Sequence, residues 1–340
     1  MSPFNYQKIC SELLDIVSPR QKEVIERRFG LSGNPPETLQ SIGDDLKITR
    51  ERVRQLEKAA LLKIASLAQK TSCQKTFSYF KSYLVEQGGL KREDILLNDL
   101  GKGKDNYFIA FLLSLGKDFF YFPGDNERMF PFWSVEPKKE KEVLFLLQKL
   151  EKFFQEKQKT FSWEQLQSLF SDYPGAFLHS CVEIARTIEE GPLGDIGLVV
   201  WPEIKPRGVR DMAYLVLKKI TKPLHFREIA NEANSLKNPF FAKRKILPQT
   251  VHNELIRDPR FVLAGRGIYG LREWGYSQES VKEVLFQILQ ASSPLSKEEI
   301  LEQVQKKKIV KPSTVLLNLA DKNYFHKDQS GKYTLKIKSA

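Results

Sequence analysis

The stretch TLQSIGDDLKITRERVRQLEKAALLKI at 38–64 constrains the fold more than any other part of the chain. It reads as a short helix, a tight turn and a longer helix, the arrangement that sets a helix into the DNA major groove. Thr38 can cap the first helix, expected over 38–46, with Leu39, Ile42 and Leu46 on one face. Lys47, Ile48 and Thr49 make the turn, and Thr49 can cap a second helix over 50–67. At about 100° per residue, Val53, Leu56, Ala60 and Ile64 form one stripe of that helix. Glu51, Arg54, Gln55 and Lys58 fall on the other side, flanked by Arg50 and Arg52. Arginine can hold guanine bidentately, glutamine suits adenine, and glutamate accepts from the cytosine amine, so the first two turns carry side chains suited to base readout. A merely solvated charged face is the bland alternative, and the turn and first helix weigh against it.

Together with SPRQKEVIERRFGL at 18–31, this stretch resembles region four of the bacterial sigma-seventy family of sigma factors, over roughly residues 9–68. The resemblance implies a module that reads the promoter's upstream hexamer in double-stranded DNA and docks on the flap of core RNA polymerase. It places base and phosphate contacts at Arg50, Glu51, Arg54 and Gln55, with Arg52 and Lys58 beside them, and backbone contacts at Thr38 and Leu39. Flap contact would come from Val24, Ile25 and Phe29 and from the C-terminal part of the reading helix. One position departs from the family: the basic residue usual two places after the glutamate of RQxE is Ala59 here, with Lys58 one place early. A complete sigma factor also carries an upstream helical domain that melts the promoter. The reading leaves no room for one before residue 18, so the chain is not expected to start transcription alone.

A net charge of +12 calls for an anionic partner, and its distribution says where. Residues 1–74 carry +3, 75–135 none and 136–204 carry −4, whereas 205–274 carry +9 and 275–340 carry +4. Cys10, Cys73 and Cys181 are odd in number and far apart, which points to a reducing cytoplasm rather than a disulfide framework. No signal peptide and no membrane span are legible, so neither membrane nor small-molecule partners are expected.

From about residue 72 a pattern of three helices and a hairpin recurs four times, roughly every 60 to 70 residues, which reads as an array of domains rather than a solenoid. The expected elements are helices 77–87, 91–97 and 104–115 with a hairpin of 119–122 and 129–133; then helices 139–156, 162–170 and 174–189 with a hairpin closing at Trp201. The third copy has helices 209–220, 225–233 and 248–257 with strands 261–264 and 269–272. The fourth has helices 280–291, 296–306 and 312–321 with strands 324–327 and 332–335. The predicted architecture is therefore mainly α with small β-hairpins: an N-terminal helix-turn-helix (1–72), then tandem winged-helix-like domains at 75–135, 136–204, 205–275 and 278–340. In the third copy, MAYLVLKKITKPLHFREIANEA and TVHNELIRDPRFVLAGRGIYGLREWG resemble the HARE-type helix-turn-helix domain. That family is implied to bind DNA or act as a polymerase-associated adaptor, with no catalytic residues to transfer. Lys243, Arg244 and Lys245 before the third helix, and Arg257, Arg260 and Arg266 running into the wing, can contact phosphates. Arg257-Asp258-Pro259-Arg260 can equally be a helix stop with local pairing.

Catalytic chemistry is not legible. Gly265-Arg-Gly267-Ile-Tyr-Gly270 fits GxGxxG but lies between two strands and opens no helix, so it reads as a wing turn. The four histidines fall in four elements without metal-ligand spacing, and His225 reads as a surface or capping residue at a helix start. Glu136-Pro137-Lys138 fits a nuclease Glu-x-Lys only formally, because proline would break the strand. The aromatics from Tyr107 to Trp133 could stack bases but suit a core better, and Lys306-Lys307-Lys308 suits a solvated helix end. The expectation is thus a non-enzymatic, sequence-specific transcription factor of the initiation machinery, without cofactor or metal. The alternatives are an accessory, delta-like polymerase subunit and a specificity subunit of a DNA-processing enzyme.

Overall fold

The computed structural model describes residues 4–68, 73–101, 105–236, 245–277 and 279–336. The chain is mainly helical with small antiparallel sheets, and it divides into two compact units: residues 1–189 with 196–199, and residues 190–195 with 200–340. Among the described residues no helix is long and apolar enough to cross a membrane.

The first unit opens with α1 (Tyr6–Leu14), α2 (Pro19–Phe29), α3 (Leu39–Leu46) and α4 (Arg50–Ala68). Capping is as the sequence predicts: Thr38 Oγ1 accepts from Ser41 N at 3.1 Å and Thr49 Oγ1 from Arg52 N at 3.2 Å. Ser18 and Gln21 form a reciprocal capping pair at the start of α2. Between α3 and α4 the chain reverses at Lys47, whose φ of 53° is left-handed, and Ile48 N donates to Gly43 O at 2.9 Å. A Cβ on Gly43 would lie 2.8 Å from Ile48 O, so the tight turn requires glycine there. Val24, Ile42 and Val53 are fully buried where the three helices meet, ringed by Leu39, Leu46, Ile48 and Leu56.

Four sets of three helices and a hairpin follow. They are α5 (Cys73–Glu86), β1 (Leu90–Arg92), α6 (Glu93–Gly101), α7 (Asn106–Leu115), β2 (Phe120–Phe122) and β3 (Phe132–Ser134); then α8 (Lys139–Lys157), α9 (Trp163–Leu169), α10 (Gly175–Ile184), β4 (Ile188–Glu190) and β5 (Ile196–Leu198). In the second unit come α11 (Val209–Ile220), β6 (Leu224–His225), α12 (Phe226–Ser235), α13 (Pro248–Arg257), β7 (Phe261–Gly265) and β8 (Ile268–Leu271). The last set is α14 (Val281–Ala291), α15 (Lys297–Lys307), α16 (Pro312–Leu319), β9 (Phe325–Lys327) and β10 (Tyr333–Leu335). One element of each set was not expected. A short strand just before the second helix pairs antiparallel with the second hairpin strand, giving the orders β1-β3-β2 and β6-β8-β7. In the other two sets it shrinks to single bridges, Phe161 to Ile196 and Leu295 to Tyr333.

The boundary expected at residue 72 falls inside one continuous core. Ile25, Ala60 and Ile64 are buried together with Phe80, Phe111 and Leu112, and Phe29 meets Phe111 edge-on at 5.1 Å. α1 packs chiefly against α7 and α4. The aromatics between 107 and 133 are divided: Phe111 and Phe132 are fully buried and Phe119 and Trp133 nearly so, whereas Tyr107 and Tyr121 are exposed. Lys91, 4% exposed, ties the first two sets together through Glu183 at 2.8 Å.

The lysine run of α15 is not uniformly solvated. Lys306 is exposed, but Lys308 is buried, and its ammonium donates to Glu279 O at 2.7 Å, Ser277 O at 3.2 Å and Leu263 O at 3.5 Å. Ile309 N adds a bond to Ala264 O at 2.7 Å, so the last two sets are joined along β7. The reason lies in the fold: the helix ends at Lys307, and the departing chain carries the next lysine inward.

Candidate nucleic-acid interface

The helix-turn-helix is braced from α2. Arg27 reaches Glu37 Oε2 at 2.8 Å and Asp45 Oδ2 at 2.7 Å on α3 and its lead-in, while Arg28 reaches Glu57 on α4 at 3.3 Å. The Arg27 hydrogen bonds hold the Glu37 carboxyl below its ordinary range. α4 is thereby fixed with Val53, Ala60 and Ile64 inward, and Arg50, Glu51, Arg52, Arg54, Gln55 and Lys58 are all exposed. Thr38 is exposed and Leu39 half-buried at the start of α3.

The exposed face is internally paired. Arg54 Nε donates to Glu51 Oε2 at 2.8 Å and Arg54 Nη2 to Glu51 Oε1 at 2.7 Å, while Arg52 Nη1 donates to Gln55 Oε1 at 3.2 Å. The Arg54 hydrogen bond pulls the Glu51 carboxyl below the usual carboxylate range. Both partners are more than half exposed, so water screens the pair and it opens at little cost. Beside it runs a cleft of about 430 Å³, in which Arg54, Lys58 and Leu62 of α4 face Ser114 and Leu115 of α7. No sequence signal placed α7 beside the reading helix.

The face nominated for the polymerase flap is corrected. Val24 and Ile25 have no exposed surface, and Phe29 is packed on Phe111. On α4, Ala60, Ile64 and Ala68 are buried in the same core. Phe29 keeps part of its surface open and Leu62, in the same part of α4, is exposed, so the correction applies to Val24, Ile25, Ala60, Ile64 and Ala68.

The second group of cations belongs to the other unit. Lys245 is exposed ahead of α13, and Arg266 is exposed at the turn between β7 and β8; Lys243 and Arg244 lie outside the described residues. Gly267 takes φ 71° in that turn, where a Cβ would sit 2.7 Å from His225 Nε2, so the GxGxxG match is a strand turn. His225 caps α12: its Nδ1 accepts from Arg227 N at 3.3 Å, and its own N donates to Glu228 Oε2 at 2.9 Å. Arg260 is not free for phosphate. It is held by Asp258 at 2.6 Å and Asp211 at 2.8 Å, which decides for the local-pairing reading of that residue. Among the described residues no group of three or more His, Cys, Asp or Glu could hold a metal ion.

Residues 13–65 match the family model Sigma-70, region 4. The chain is 39% identical to the RNA polymerase sigma factor RpoD of Neisseria gonorrhoeae over 57 residues, 17% of this chain and 9% of that protein. It is 43% identical to SigA of Nostoc sp. over 53 residues (16% and 14%), and 37% identical to sigB of Arabidopsis thaliana over 76 residues (22% and 12%). The chain therefore spans only a small fraction of the length of these curated relatives. The matched segment, residues 13–65, carries α2, α3 and most of α4 and is similar to Sigma-70, region 4.

Proposed function

We propose that this chain is a non-enzymatic, DNA-binding transcription factor that acts in the cytoplasm at transcription initiation, with α4 reading duplex DNA in the major groove. One observation carries the reading: in a module matching Sigma-70, region 4, the first turns of α4 expose Arg50, Glu51, Arg52, Arg54 and Gln55 and bury Val53. Arg50, Glu51, Arg54 and Gln55 address base edges and phosphates, Arg52 and Lys58 flank them, and Thr38 and Leu39 meet the backbone at the start of α3. Each bidentate base contact contributes roughly 1–3 kcal/mol of discrimination.

The four sets of helices and hairpin are, in this reading, winged-helix domains, the third of HARE type. Support comes from the strand order in which a short first strand pairs with the last. Lys243, Arg244, Lys245 and Arg266 anchor the chain to DNA without regard to sequence, through phosphate contacts that weaken with salt. Core RNA polymerase is the expected protein partner, reached through a surface other than the buried face of α2.

The test is binding to a duplex carrying a promoter upstream hexamer against a scrambled duplex. Arg54→Ala is expected to lower affinity for the first about tenfold or more, with unchanged circular dichroism. Equal binding of the wild-type protein to both duplexes would overturn sequence-specific readout.

A further inference from the structure

A hollow of about 750 Å³ opens on the C-terminal set, between α16 and the β9–β10 hairpin, a size that encloses whole small molecules elsewhere. Its floor is apolar: Leu319 and Phe325 are buried there, and the Tyr333 ring is half-buried. Its rim is cationic, formed by the exposed Lys297, Lys322, Lys327 and Lys336 together with His326.

Among the described residues no carboxylate lines the hollow. Three of the acidic residues near it in sequence are engaged elsewhere. Asp321 pairs with Lys282 at 3.0 Å, Asp328 accepts from Ser330 Oγ at 2.7 Å and Lys332 N at 2.9 Å in the hairpin turn, and Glu299 accepts from Ser296 N at 2.7 Å. Lys297 occupies the first position of α15, the positive end of the helix dipole, where a cation is unfavourable for the helix itself. Lys327 Nζ stands 5.6 Å from the centre of the Tyr333 ring, so charge and aromatic face are adjacent.

We infer that this hollow binds single-stranded nucleic acid, with the lysines on successive phosphates and an unpaired base entering over Tyr333. A duplex offers such a hollow only backbone charge, whereas an unpaired nucleotide supplies both an anion for the rim and a flat apolar face for the floor. The site is separate from α4 and does not depend on the reading proposed for it.

The experiment uses the full chain in an Arg50→Ala, Arg52→Ala, Arg54→Ala, Gln55→Ala, Lys58→Ala background, which removes the proposed cationic and amide contacts of α4 from the signal. Binding of a fluorescent twelve-residue oligothymidylate is followed by anisotropy across a salt series. Lys297→Ala, Lys322→Ala, Lys327→Ala together are expected to weaken binding at least about tenfold and to flatten the log–log salt dependence by about two, the loss of three phosphate contacts. Lys306→Ala, Lys307→Ala, Lys311→Ala remove equal charge outside the hollow and are expected to change affinity less than about threefold. Tyr333→Leu is expected to weaken oligothymidylate binding about five- to tenfold while leaving inorganic polyphosphate binding unchanged. The inference is overturned if the full chain does not bind the oligonucleotide, if the two triple variants lose equally, or if Tyr333→Leu has no effect. Competition by polyglutamate as strong as by oligothymidylate would also overturn it, in favour of an acidic protein.

Discussion

Glu51 and Arg54, one helical turn apart on the exposed side of α4, hold each other through both carboxylate oxygens, at 2.7 and 2.8 Å. The guanidinium proposed to meet guanine is thus already occupied, and binding exchanges one bidentate partner for another. Glu51→Gln removes the competitor. It is expected to raise affinity for scrambled duplex several-fold and to reduce the ratio between hexamer and scrambled DNA. Stability should change by less than about 1 kcal/mol, as for other exposed pairs. Parallel titrations of the two duplexes check this, and an unchanged ratio would show that Glu51 reads no base.

The edge-on contact of Phe29 with Phe111 joins the region-four module to the next set of helices. Phe111→Ala leaves a cavity in a fully buried site and is expected to cost about 3–5 kcal/mol in chemical denaturation. A fragment ending at residue 68 loses the same cover. Cys10, 1% exposed in the full chain with its thiol pushed up by burial, is expected to react with Ellman's reagent within minutes in the fragment and only on unfolding in the full chain.

Gly43 sets the tight turn between α3 and α4, because a methyl group there would press on Ile48 O. Gly43→Ala is expected to destabilise the module by about 1–3 kcal/mol, the range for forced close contacts in packed sites. DNA affinity should fall with it, since α4 can no longer be held at its angle to α3. Retained affinity in a folded Gly43→Ala variant would disprove the link between the turn and recognition.

Lys308 gives a pH signature. Burial pushes its ammonium below the ordinary lysine range, so between that depressed value and 10.5 the unfolded chain binds more protons than the folded one. Stability contributed at this site therefore rises as pH rises through that window. The difference in Tm between wild type and Lys308→Met is expected to move in favour of wild type from pH 8 to 10. A difference that stays constant, or shrinks, would contradict the burial of the charged group.

Much of this was legible beforehand where periodicity and local chemistry agree. The caps at Thr38 and Thr49, the inward stripe of α4 and the hairpins of three sets follow from spacing and turn residues alone; in the second set the helix expected to run to 189 ends at Ile184, and the hairpin expected to close at Trp201 ends at Leu198. What escaped depends on partners distant in sequence. Strands of two or three residues, such as β6, are too short to show alternation and exist only because the hairpin beside them offers hydrogen bonds. The apolar face of α2 looks the same in sequence whether it meets another protein or α7. Lys308 carries no mark distinguishing it from Lys306, because its burial is set by where the chain turns after α15. The hollow beside Tyr333 collects residues from α15, α16 and the hairpin, and the lysines look scattered until the fold gathers them.

The shared core beneath α4 makes the orientation of that helix an inheritance from residues well outside 38–58. In a chain of loosely strung modules, altered recognition would map to 38–58 alone. Here a genetic selection for changed DNA preference should return compensating alleles along α7 as well, since Ser114 and Leu115 border the same cleft as Arg54.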